Sequence, residues 1–301
     1  MKHIILIIFT LLLFSACDKV KNPNQNPSAI SSCTLNAPIV KTNTLTSGFR
    51  KVLLEDYTGH TCGNCPRAAE KAEALSATYK DSLVVIANHV SVQYAKPVAD
   101  TLYREDFRDA SSTDWDIFLG MSSSGLPRGT INRVAPFPQS HASWPSLVPS
   151  ALHQAQSVKL DIITTYDPSQ TLLNVQVKST FLKAFTGDVK LVLALTQDSL
   201  VGDQKDYSPP PGVLLDADFE TRPNYRFDHV LISTVTGPWG RLVKSSPAVN
   251  DTVTLKSSCY LLSKCFFKSV VCLNDKYVNL VAFIYNDATK EILQAEKIRI
   301  R

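Results

Sequence analysis

The 301-residue sequence contains no apolar run long enough to cross a membrane. The longest, residues 4–14 (IILIIFTLLLF), spans 11 residues, whereas a helix through a bilayer needs about 20. An excess of one charge is also missing: 31 Lys and Arg stand against 27 Asp and Glu, and the net +4 is scattered along the chain. Without a basic patch or stripe, nucleic acid is excluded as a partner. No segment repeats at a fixed period, which excludes solenoids and propellers. The second half holds no Ser/His/Asp set and no glycine-rich phosphate loop, and no cofactor is expected.

What is present begins at the N-terminus. Lys2, the short apolar core and the small residues Ser15 and Ala16 describe an export signal over residues 1–16 that is cut off on secretion. Leu13-Phe14-Ser15-Ala16-Cys17 resembles the bacterial lipobox, which implies that Cys17 becomes the lipidated first residue of the mature protein. Diacylglycerol plus an amide-linked chain anchors firmly, since one chain alone binds a membrane only marginally. An ordinary secretory peptide with a chance cysteine is the alternative. The first expected partner is therefore the lipid bilayer, reached through Cys17. Of the seven cysteines, six remain after Cys17. In an exported chain an even number suggests disulfides, and Cys33, Cys259, Cys265 and Cys272 allow three pairings that the sequence does not rank.

Residues 17–48 read as a tether, because DKVKNPNQNPSAISS is polar, proline-bearing and aperiodic and cannot bury a core. Residues 49–157 read as an α/β domain. Lys51 to Tyr57 is a buried strand, Asn64 to Tyr79 an amphipathic helix with Pro66 in its first turn, and Leu83 to Ala87 a second buried strand. Together they predict a right-handed βαβ unit on a parallel sheet. Residues 98–110 and 113–120 read as an inserted helical segment, and 144–156 as a closing helix. From residue 158 to 301 the pattern turns to short alternating strands, at 158–165, 173–181, 188–196, 253–260, 279–285 and 292–300. That pattern predicts an all-β sandwich, immunoglobulin-like in class. Ser208 to Gly212 (SPPPG) and Pro223-Asn224 mark an irregular excursion, either a surface loop or a binding edge.

The chemistry concentrates in GHTCGNCPRAAEKAEAL, residues 59–75. Cys62 falls just before the helix, whose free N–H groups and dipole favour a thiolate. Gly63 permits the tight ring between bonded cysteines. An exposed Cys62 with Cys65 one turn later as resolving partner is what disulfide exchange needs, and a Cys-x-x-Cys beside a βαβ pattern is a thioredoxin-type signal. Metal binding is a competing reading. His60 lies two residues before Cys62, His89 follows the second strand, and two thiolates with imidazole suit Cu(I) or Zn²⁺.

DYTGHTCGNCP, residues 56–66, resembles the active-site segment of the thioredoxin superfamily. The resemblance implies a thioredoxin-like domain in which Asp56 relays a proton and a cis-proline faces the disulfide. Pro127, in SSGLPRGTINRV at residues 123–134, fits that proline. Thr61 departs from the usual tryptophan before the first cysteine, which puts ordinary thioredoxin-like surface recognition in doubt.

A narrower likeness combines the lipobox, LLEDYTGHTCGNCP (53–66), GLPRGTINR (125–133) and the strand-rich second half. TQDSLVGDQ (196–204) and YRFDHVLISTVTGPWG (225–240) agree more loosely. Together they resemble the Omp-twenty-eight-type outer membrane lipoprotein family, which implies outer membrane attachment and no assured activity. Asp18, next to the lipidated cysteine, would signal inner-membrane retention under the enterobacterial rule; the family likeness points to the outer membrane and is preferred. Two functions follow. Cys62 and Cys65 exchange disulfides with cysteine-bearing envelope proteins, Asp56 and Pro127 assisting, or the chain is a non-catalytic surface lipoprotein with a structural disulfide and a sandwich that binds partners.

Overall fold

Strand β2 (Val52–Thr58) and strand β3 (Leu83–His89) are buried along their whole length, as expected of parallel strands covered on both faces. They pair in parallel, Val52 opposite Leu83 through Thr58 opposite His89. Helix α1 (Cys65–Tyr79) makes the crossover, with Pro66 in its first turn. The computed structural model describes residues 33–44, 48–98, 102–216, 220–263, 265–266 and 271–301. The expected export signal, Cys17 and the first part of the expected tether lie outside the described residues.

Strand β1 (Ile39–Thr44) precedes this unit, and helix α2 (Ala110–Leu119), strand β4 (Arg128–Ile131) and helix α3 (Trp144–Leu152) follow it. Strand β4 returns antiparallel to β2, Asp56 facing Gly129 and Tyr57 facing Arg128. The second half supplies β5 (Val158–Asp167), β6 (Leu172–Phe181), β7 (Asp188–Gln197), β8 (Leu200–Lys205), β9 (Thr221–Phe227), β10 (Val230–Thr234) and β11 (Arg241–Ser245). It continues through β12 (Thr252–Leu261), β13 (Cys265–Phe266), β14 (Val271–Cys272), β15 (Val278–Asn286) and β16 (Ile292–Arg299). The protein is thus mostly β, with few helices and both mixed and antiparallel sheets.

The mixed sheet runs β16-β15-β7-β10-β3-β2-β4, with β11 also on β7. The antiparallel sheet runs β1-β5-β6-β12. Alternation assigns the faces. Leu191, Leu193 and Leu195 of β7, with Leu280, Ala282 and Ile284 of β15, share one aliphatic core with Leu160, Ile162, Val175 and Val177 of the antiparallel sheet. The intervening Val192, Ala194, Val281 and Phe283 join Leu53, Val84 and Ile86 beneath Trp115 and Leu119 of α2. Val52, Leu54 and Val85 instead meet Ala68, Ala72 and Leu75 of α1 and Trp144 and Val148 of α3.

Four expectations change. Residues 39–44, placed in the tether, pair with β5 from Ile39–Tyr166 to Thr44–Asp161. Their Ile-Val start and alternation sufficed for an edge strand once β5 offered its backbone. Residues 102–109, expected to be helical, are irregular; Asp109 caps α2 by accepting from the Ser111 amide at 2.8 Å, so the helix begins only at Ala110. The closing helix ends at Leu152 rather than at residue 156. Finally, strands from both sides of residue 158 share one sheet: β10 is parallel to β3 through Val230–Ala87 and antiparallel to β7.

The fold also places the four cysteines whose pairing the sequence leaves open. Cys33 is disulfide-bonded to Cys259, fastening the N-terminal segment to β12. Cys265 and Cys272 stand opposite each other in the short β13–β14 ladder.

Candidate functional site around Cys62 and Cys65

Strand β2 delivers the chain to the Cys-x-x-Cys turn, and local packing fixes the turn's glycines. A Cβ on Gly59 would lie 2.2 Å from the carbonyl oxygen of Tyr94, so the close backbone approach admits only glycine. The Thr61 amide then donates to that same Tyr94 carbonyl at 3.0 Å, and the Cys65 amide to the Cys62 carbonyl at 3.1 Å. Cys62 and Cys65 form a disulfide across the start of α1. Both are enclosed, Cys62 3% exposed and Cys65 1%. The expectation of an exposed Cys62 is therefore corrected.

The cover comes from far along the chain. From the end of β8 the backbone runs beside the turn: the Lys205 amide donates to His60 O at 2.8 Å and the Tyr207 amide to Gly63 O at 2.9 Å. Gln204 Nε2 donates to Cys62 O at 3.1 Å. The Tyr207 ring lies so close over Gly63 that an added Cβ would meet it at 2.5 Å. Asp206 is fully buried and accepts from Arg67 of α1 and Arg222 of β9, each at 3.0 Å, while Arg67 also pairs with Glu70 at 2.7 Å.

Pro127 follows a cis Leu126–Pro127 peptide and immediately precedes β4. Leu126 belongs to the same buried cluster as Cys62 and Cys65. The register of β4 carries Pro127 one residue beyond the Tyr57–Arg128 pair, beside the end of β2 that leads to the disulfide.

Behind the disulfide lies a cavity of about 260 Å³, bordered by Asp56, Cys65, Glu73, Gln204, Tyr225 and His229. Asp56 is buried on β2 and its Oδ1 has no hydrogen-bond partner. Burial pushes its carboxyl up to about 7, with the His229 charge pulling the other way. His229 sits between two carboxylates, Nε2 3.1 Å from Glu73 and Nδ1 3.3 Å from Asp198. Burial disfavours its charge, but the carboxylates of Asp198 and Glu73 beside it outweigh it and raise the imidazole to about 9. Glu73 reaches solvent, its side chain 54% exposed. A carboxyl that keeps its proton up to about pH 7, a part-buried cation and a sulfur thus face one small space, an arrangement able to hold and pass a proton.

His60 and His89 are both buried, in an aromatic cluster rather than at an open edge. His60 stacks on Tyr103 at 5.8 Å, and His89 lies 5.1 Å from Phe107 and 5.5 Å from Phe227. Burial lowers His60 to about 4 and His89 to about 3, so both rings are neutral at pH 7. Among the described residues no group of three or more His, Cys, Asp and Glu side chains is arranged to hold a metal.

The sequence singles out Cys62, Cys65, Asp56 and Pro127 but not Gln204, Asp206, Tyr207, Glu73 and His229, which the fold brings beside them. The two loosely family-like stretches, 196–204 and 225–240, contain Gln204 and His229. Their polar density between apolar strands was the available signal.

Comparison with known proteins agrees with the family likeness. A sequence profile described as outer membrane protein Omp28 matches residues 120–301, more than half of the chain. The chain belongs to the Omp28 family of outer membrane lipoproteins. Among solved structures, a protein from Agrobacterium tumefaciens is similar at 14% identity, over 84% of this chain and 95% of that one, with a TM-score of 0.49. A domain of the outer membrane lipoprotein Omp28 from Porphyromonas gingivalis is similar at 16% identity, over 48% of this chain and 88% of that one, with a TM-score of 0.29. No curated protein sequence matches. No helix among the described residues is long and apolar enough to cross a membrane, and the protein is assigned to the outer membrane through its family.

Proposed function

We propose that this protein is a lipid-anchored, thioredoxin-like envelope protein whose Cys62–Cys65 pair exchanges disulfides with cysteine-bearing envelope proteins. The parallel β2–β3 pair, the α1 crossover and the antiparallel return of β4 after Pro127 support a thioredoxin-like unit over residues 49–157. The two facing sheets support a sandwich over 158–301, immunoglobulin-like in class. Cys17 supplies the anchor.

The single observation that carries this reading is Asp56. A buried carboxyl with an unpartnered oxygen costs stability, and it faces the same cavity as Cys65, the sulfur that leaves when the disulfide is attacked. A purely structural bond has no use for it, whereas perturbed carboxyls gather where protons move.

In the exchange step a partner's thiolate attacks Cys62 Sγ, the Cys62–Cys65 bond breaks, and Cys65 leaves as a thiolate that takes the Asp56 proton. A second thiolate of the partner then attacks its own sulfur in the mixed disulfide and releases Cys62. The partner's two thiols become one disulfide, and two electrons pass to the Cys62–Cys65 pair; with a disulfide-bearing partner the same steps run in reverse. Pro127 positions the partner's strand.

The test is the redox potential of the pair together with trapping by a Cys65→Ser variant. A potential above about −300 mV and covalent adducts at Cys62 are expected. A lower potential with no adduct would establish the second reading, a structural disulfide in a non-catalytic surface lipoprotein. That reading is favoured by one observation, the enclosure of both sulfurs.

A further inference from the structure

The segment that covers the disulfide has the geometry of an added strand. Lys205 and Tyr207, two residues apart, point successive amides at His60 O and Gly63 O, the spacing at which one edge of an extended chain meets a neighbour. Gln204 adds its side-chain amide to Cys62 O. The turn therefore offers a row of three backbone acceptors, at His60, Cys62 and Gly63, beside a flat spot at Gly63 on which one aromatic ring rests. Main-chain acceptors with a single side-chain seat are the hallmark of recognition by strand addition.

What holds the segment is separate from what it covers. Asp206 pairs with Arg67 and Arg222, and Lys205 pairs with Glu220 at 2.7 Å. The other edge of the segment closes the β8–β9 hairpin, Gln204 opposite Arg222 and Lys205 opposite Thr221, so that segment and hairpin move together. Arg67 and Arg222 keep 28% and 19% exposure, so both can be resolvated when the segment leaves. The contact is releasable, in contrast to an aliphatic core contact.

We infer that residues 204–207 are a built-in occupant of a strand-docking groove along residues 60–63, latched by Asp206, and that an extended polypeptide segment of the partner, seating an aromatic side chain over Gly63, takes their place when Cys62 is engaged. The identity of the engaged residue rests on the exchange reading; the groove and its latch do not.

The test uses the mature chain with Asp206→Asn and, independently, Gly63→Ala, whose new methyl would collide with the Tyr207 ring. Two properties are measured: amide hydrogen exchange at Lys205 and Tyr207, and the reduction rate of Cys62–Cys65 by a small phosphine. Both variants should speed both by about ten- to hundred-fold, Asp206→Asn because its charge-assisted hydrogen bonds to Arg67 and Arg222 are weakened and Gly63→Ala because the Tyr207 ring is pushed off the turn. A synthetic peptide of residues 202–208 (GDQKDYS) should bind the Asp206→Asn protein saturably, and its Tyr→Ala form should not. Unchanged amide exchange and reduction in both variants, or equal binding of the two peptides, would overturn the inference. Faster opening and tyrosine-dependent peptide binding, with no exchange against a cystine substrate in any variant, would uphold the groove and remove the redox reading.

Discussion

The core between the two sheets and the ground beneath the Cys62–Cys65 turn bury opposite kinds of chemistry. The first is apolar and mainly aliphatic, with Leu160, Ile162, Val175 and Val177 meeting Leu191, Leu193, Leu280 and Ile284 around Tyr166 and Phe181. The second buries Glu55, Asp56, His60, Asn88, His89 and Arg133 within a few strands. Aliphatic burial stabilises without further explanation, whereas burying ionisable groups costs stability unless each is paired. The pairing is complete for Glu55, which accepts from Arg133 at 2.6 and 2.7 Å while Arg133 lies 5.0 Å over Trp115. It is incomplete for Asp56, and that asymmetry points to the region whose contents serve something other than stability. The two disulfides divide the same way. Cys33–Cys259 closes a separation of 226 residues, Cys62–Cys65 one of 3, and only the long closure restrains the unfolded chain strongly.

The largest test of this contrast removes each disulfide in turn. Cys33→Ser with Cys259→Ser should cost about 4–5 kcal/mol, and Cys62→Ser with Cys65→Ser about 2 or less, read as shifts in denaturant midpoint. Equal losses would erase the distinction. Next, Arg133→Met should cost about 3–4 kcal/mol by leaving Glu55 buried and alone, and adding Glu55→Leu should recover most of it. Asp56→Asn should do the reverse and stabilise. Between pH 4 and 7 the unfolded chain loses the Asp56 proton while the fold keeps it, so wild-type stability falls as pH rises through that window. The variant should gain about 4 kcal/mol at pH 8 and nothing near pH 3.5, while disulfide exchange slows. The smallest effect concerns His89, held neutral down to about pH 3. Below pH 6.5 the unfolded chain takes up a proton that the fold refuses, so stability declines by about 1.4 kcal/mol per pH unit. His89→Phe, placed among Phe107 and Phe227, should flatten that slope in urea titrations at pH 7 and 5.

How much of this was legible in the sequence depended on how local the cause was. Alternation within a strand is a local property, and all six strands read from residue 158 onward recur as β5, β6, β7, β12, β15 and β16. The βαβ unit was equally visible, because Pro66, the alanine-rich helix and two apolar runs carry it without outside help. Strand β10 was not, since VLIST holds its place by pairing with β3 and β7 together. The cover over Cys62 is the extreme case: Gln204 meets it across 142 residues, and nothing in GDQKDYS announces where it docks. His229 likewise gains its charge from Glu73 and Asp198, contributed by different parts of the chain. Tyr103 and Phe107 resembled a helix face because they are apolar at helical spacing, yet they serve as plugs against His60 and His89.

Strand β10 also governs how the molecule comes apart. It is hydrogen-bonded on one side to the first half of the chain and on the other to the second. A fragment ending at residue 157 would expose the whole edge of β3, the kind of open strand that aggregates. Through β10 the two halves are built into one mixed sheet and should therefore melt together, as one cooperative transition seen alike by calorimetry and by the signals of Trp115 and Trp144.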